Sequence, residues 1–150
     1  MEVFNIMISP AWLFSLASII AVFGILLAFK KMVASIQYKL ENNQLTSETI
    51  QKEQSRYFLK VAIIEAVPIL LIIIGFMQIG SEEVSTISTT IAALIIIGLI
   101  ILTVVHVFLA RNELLRVTSN EHKAYIHTLL FLGFGTILAI PIISLIALYI

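Results

Sequence analysis

The chain has 150 residues, of which 60% are hydrophobic and 12% charged, with zero formal net charge and a mean hydropathy of +1.08. A soluble domain carries about 25% charged residues, so a water-soluble fold is excluded, and zero net charge argues against nucleic acid or an acidic partner. No cysteine is present, which excludes disulfides and thiolate metal sites. The lipid bilayer is the solvent that suits this composition, and it admits only helices or closed barrels. The apolar runs are continuous and far longer than the roughly ten alternating residues of a barrel strand. The expected class is therefore all-α, a polytopic membrane protein.

Crossing about 30 Å of hydrocarbon at about 1.5 Å per residue takes about 20 apolar residues. The first stretch that qualifies is 8–29, closed by Lys30 and Lys31. It is preceded by Glu2 and by no Lys or Arg, so it is not expected to be a signal peptide. Residues 32–56 are polar, without Gly or Pro, and are expected to extend the first two helices beyond the membrane with a break near Asn42 and Asn43. The second span covers 57–79 and is closed by Gly80, Ser81, Glu82 and Glu83. The third covers 86–110, closed by Arg111, and the fourth covers 125–150.

The basic residues orient these four spans. Lys30, Lys31, Lys39, Lys52, Arg56 and Lys60 belong to the first connection, and Arg111, Arg116 and Lys123 to the third. The second connection and both termini have none. By the positive-inside bias the basic side is cytoplasmic. The expectation is a multi-pass protein of the cell membrane with both termini non-cytoplasmic.

The chain also resembles itself. With Pro68 set over Pro141, Ile64-Glu65-Ala66-Val67-Pro68-Ile69 lies over Ile137-Leu138-Ala139-Ile140-Pro141-Ile142. At a nearly equal offset Gly24 lies over Gly98. This reads as a hairpin duplicated in tandem, with hairpins 1–80 and 81–150 in parallel rather than inverted repeat. Leu138 replaces Glu65 in the second copy.

Glu65 is the residue that needs a reason. It follows Arg56 by nine residues, about 13 Å at helical rise, which places it near mid-membrane. A charged carboxylate there costs about 2.5–3.5 kcal/mol, and intramembrane ionisable groups are functional by default. Lys60 lies about 140° around the helix from Glu65 and is expected to snorkel instead of pairing with it. Without a partner, loss of water favours the neutral acid. Two readings stay open on the residues alone: a site that takes up and releases a proton, or a neutral acid making one interhelical hydrogen bond. Pro68 frees the Ile64 carbonyl one turn earlier, and that carbonyl is a candidate acceptor for the acid's proton.

His106, His122 and His127 fall on the basic side, but their spacing matches no metal pattern, so no metal site is expected. No nucleophile triad, Gly-rich phosphate loop or paired carboxylate occurs. A non-catalytic membrane subunit without cofactor is expected before an enzyme.

The stretch from Tyr57 through Lys60-Val61-Ala62-Ile63-Ile64-Glu65-Ala66-Val67-Pro68-Ile69, continuing to Phe76 and Gly80, resembles the second helix of subunit c of rotary ATP synthases. Four spans with one carboxylate resemble the duplicated proteolipid of vacuolar-type ATPases. The resemblance implies that Glu65 carries the ion, supported by Ile64, Ala66 and Pro68. Ala66 stands where sodium-binding members have Ser or Thr, and the first span has no Gln, so the implied ion is a proton. It further implies a homo-oligomer or ring beside a stator-type membrane subunit. A small proton-coupled transporter and a non-transporting structural membrane protein remain the alternatives.

Overall fold

The computed structural model describes residues 9–80 and 85–150. The expected start of the first span at Ile8, and the turn through Ser81, Glu82 and Glu83, lie outside the described residues. Four helices account for nearly all of the rest: α1 Pro10–Glu41, α2 Ser47–Gln78, α3 Thr86–Val117 and α4 Lys123–Ala147. Each is long and apolar enough to cross a membrane. The first three have 32 residues, or about 48 Å at helical rise, well beyond a hydrocarbon layer of about 30 Å. The excess is the polar, basic end of each helix. α2 therefore starts ahead of the expected span at Tyr57, and α3 runs past Ala110. α4 stops at Ala147 instead of reaching Ile150.

Local chemistry explains the ends. Pro10 sits in the first turn of α1, where its missing N–H costs nothing. The helix stops at the expected break: Asn42 caps it, and Asn43 takes the left-handed conformation with φ +54°, which Asn tolerates better than most residues. The Gln44 N–H then donates to the Lys39 carbonyl at 2.8 Å. Thr46 and Thr49 open α2 with a reciprocal cap, each side-chain oxygen accepting from the other's backbone N–H. Pro68 and Pro141 both lie inside helices without ending them.

α1 is the central helix. It packs against α2, α3 and α4, whereas α2 and α3 do not touch among the described residues. α3 packs on α4, and α4 only grazes α2. The cross-section is a rhombus with α1 and α4 on its short diagonal. Along the antiparallel α1–α2 seam, the Phe14 ring meets Phe76 edge-on at 5.5 Å, and Phe29 meets Tyr57 at 6.4 Å. Between these pairs, Gly24 faces Ile64 so closely that a Cβ would lie 2.6 Å from its Cγ2.

Small side chains set this arrangement. Lipid tails are as apolar as Leu, so hydrophobicity alone does not bring membrane helices together; close packing does. α1 buries Ala11, Ala17, Ser18, Ala21 and Ala28, which let three neighbours approach its backbone. α2 buries one stripe (Tyr57, Val61, Pro68, Ile72 and Gly75) and leaves Leu59, Ile63, Leu70 and Met77 on an outer face. Two buried hydroxyls are satisfied within their own helix. Ser18 donates to the Phe14 carbonyl and Thr103 to the Leu99 carbonyl, both at 3.0 Å.

Two helical hairpins follow one another in the chain, yet they occupy different places. Gly24 of α1 is pressed against a neighbour, while its repeat counterpart Gly98 on α3 faces open space. The tightest glycine contact joins α4 to α1: a Cβ on Gly133 would lie 2.2 Å from Phe29 Cε2, and Phe29 is fully buried. Gly133→Ala is expected to lower stability by about 1–3 kcal/mol through overpacking. Gly98→Ala should be neutral or stabilising by up to about 1 kcal/mol. Thermal unfolding in mild detergent checks both, and Phe29→Leu should recover part of the Gly133→Ala loss.

Candidate functional site

Glu65 lies one residue beyond Ile64, whose side chain presses on Gly24 of α1. Its neighbours on the helix surface define its setting. Val61 and Pro68, four before and three after, are buried, while Ala62 and Ile69, three before and four after, are exposed. The half-buried carboxyl therefore sits on the rim between the seam with α1 and the outer face of α2. Of the expected supporting residues, Ile64 and Pro68 pack inward and Ala66 faces outward, so the four do not close into a pocket.

Among the described residues Glu65 makes no hydrogen bond and no ion pair. The Ile64 carbonyl does not receive its proton in this arrangement, and Lys60 is not its partner. The Tyr57 hydroxyl lies within electrostatic reach of the carboxyl and is itself 2.7 Å from Thr136 Oγ1 on α4. The Thr136 hydroxyl donates to the carbonyl of Leu132 at 3.0 Å or Gly133 at 2.9 Å, which leaves the Tyr57 O–H as the donor to Thr136. This bond is the polar link between α2 and α4, and it lay beyond any local sequence pattern because its members are 79 residues apart.

The histidines do not converge. His106 Nδ1 bonds the Leu102 carbonyl at 2.8 Å, and the ring lines a cavity between α1 and α3 with Lys30, Gln37 and Glu113. His122 caps α4, and His127 is exposed. No group of three or more His, Cys or carboxylate side chains gathers among the described residues.

A second polar centre, not anticipated from the sequence, occupies the basic end of the α1–α2 seam. Glu53 is only 5% exposed. Its Oε1 accepts from Lys39 Nζ at 2.8 Å and lies 3.8 Å from Arg56 Nη1. Burial alone would raise the carboxyl's pKa; the Lys39 ammonium, the Ser35 hydroxyl and the Arg56 charge outweigh it and hold the group below the ordinary carboxylate range. No local signal marks it: Lys39 lies three residues before the Asn42–Asn43 break and Glu53 ten after it, so equal spacing from the turn does not pair them.

Because the folded Glu53 pKa is depressed, its contribution to stability is complete above the unfolded value, about 4.3 for glutamate, and is lost as pH falls through the lower folded value. Glu53→Gln should cost about 1–3 kcal/mol near neutral pH by replacing the charged acceptor of Lys39 with a neutral amide oxygen. It should also flatten the acid limb of stability against pH below about 4.3. Unfolding midpoints of both proteins across that range check this. No family model, no curated protein and no solved structure matches the chain.

Proposed function

We propose that this chain is a proteolipid-like membrane subunit that carries protons on Glu65. The observation that carries the reading is a carboxyl on the rim of an apolar helix, half-buried and without hydrogen bond or ion pair among the described residues. The likeness of residues 57–80 to the ion-carrying helix of ATP synthase subunit c supports it. In this mechanism Glu65 is a neutral acid while it faces lipid. A cation on a stator-type partner draws it into the ionised state, and the proton leaves by an aqueous path. Exposed Ala62 and Ala66 flank it with little bulk, so a partner helix can come close. Pro68 leaves the Ile64 carbonyl without its helical donor, an acceptor onto which the acid's O–H can turn once protonated. The working unit is a homo-oligomer or ring.

A small transporter with an internal substrate site fits less well. Four cavities lie toward the two ends of the bundle, and Glu65 lines none of these four. In the proposed orientation the basic end faces the cytoplasm and both termini lie outside the cell membrane. Support comes from the gathering of Lys30, Lys31, Lys39, Lys52, Arg56 and Lys60 with Arg111, Arg116 and Lys123 at one end.

Carbodiimide applied to membranes between about pH 6 and 7, where an acid in an apolar setting is protonated, should modify Glu65 in the intact chain. Glu65→Gln should abolish both the labelling and any proton flux that the assembled complex supports. An unreactive Glu65, or a Gln variant with undiminished flux, would overturn the proposal. Orientation has its own check, since the chain lacks cysteine. Gln51→Cys should react with an impermeant maleimide only from the cytoplasmic side, and Tyr149→Cys only from outside; both positions are exposed.

A further inference from the structure

We infer that the cavity between α1 and α2 at the basic end binds the phosphate of an anionic phospholipid headgroup. The cavity measures about 130 Å³ and is lined by Lys31, Ser35, Glu53, Arg56, Tyr57 and Lys60, among others. It does not rest on Glu65 or on the direction in which the chain is inserted.

The charge balance points to an anion. Lys31 of α1 and Lys60 of α2 line the same cavity, with Ser35 and Arg56 beside them. Two lysines thus flank one space between neighbouring helices, with an arginine one turn away from Lys60. The single carboxylate in the lining is already engaged, 2.8 Å from Lys39 and 3.8 Å from Arg56. Lys31 and Lys60 make no ion pair or hydrogen bond among the described residues. An anion between them relieves their mutual repulsion and adds charge-assisted hydrogen bonds.

The surroundings select a lipid as its source. The cavity lies where the apolar run of α2 begins: Tyr57 forms part of its wall, and Phe58, Leu59 and Ile63 continue outward along the exposed face. A phosphate held by Lys31, Arg56 and Lys60 therefore sits at headgroup depth, with its acyl chains along that face. A free phosphate would meet the same cations but leave the apolar flank unused. Basic pockets between membrane helices at this depth hold anionic headgroups in general.

The test uses the purified full chain in mild detergent, titrated with phosphatidylglycerol, phosphatidylcholine or inorganic phosphate and followed by native mass spectrometry and thermal unfolding. Phosphatidylglycerol, but not phosphatidylcholine, should be retained and should raise the unfolding temperature. At about fivefold for each lysine at the headgroup surface, Lys31→Gln with Lys60→Gln should weaken retention by about tenfold or more. Lys31→Arg with Lys60→Arg keeps the charge and should retain the lipid, which separates lost binding from lost folding. Lys52→Gln, an exposed cation outside the cavity, should change affinity by less than about twofold. Undiminished binding by the double Gln variant, or an equal loss in Lys52→Gln, would overturn the site. Stabilisation by inorganic phosphate as large as that by phosphatidylglycerol would overturn the lipid as its source.

Discussion

Everything in this fold depends on how closely three helices can approach α1. In water a helix is driven against its neighbours by the apolar surface it hides. In lipid that drive is absent, and contact area between backbones takes its place. Ala11, Ala17, Ser18, Ala21 and Ala28 provide that area on α1. Phe29 uses it in both directions, its ring set against Tyr57 of α2 and over Gly133 of α4. The seam that results fixes where every polar group along α2 ends up, Glu65 on its rim and Glu53 within it.

The four spans and the break at Asn42–Asn43 were legible in the sequence because they depend on quantities that are local: the length of apolar runs, the position of charges and the tolerance of Asn for left-handed backbone. The prolongation of α1 and α2 beyond the bilayer up to that break was legible for the same reason, since polar residues without Gly or Pro prolong a helix as readily as apolar ones. The continuation of α3 to Val117 was not expected. The choice of the central helix was hidden from hydropathy, which is similar for all four. It was written in the small residues of α1.

The site divides in the same way. Glu65 stood out because a lone carboxylate in an apolar run is costly, and its rim position follows from which of its helical neighbours face α1. The internal repeat gave a weaker guide. It set Gly24 and Gly98 in correspondence, but one is pressed against Ile64 and the other against nothing, because a helix at the centre of a bundle and one at its corner face different demands. The Lys39–Glu53 pair and the Tyr57–Thr136 bond needed a register and a neighbour that no single segment contains.

The central place of α1 bears on how such a protein is made. A ribosome delivers this helix before the other three, so each later span enters a membrane where the surface it must dock on is already present. α2 and α3 each find α1 already in place, and these two corner helices, which do not touch among the described residues, can settle on it independently. A chain permuted to emit α1 last would leave α2 and its buried-edge acid in lipid for most of synthesis without the one neighbour that shields it.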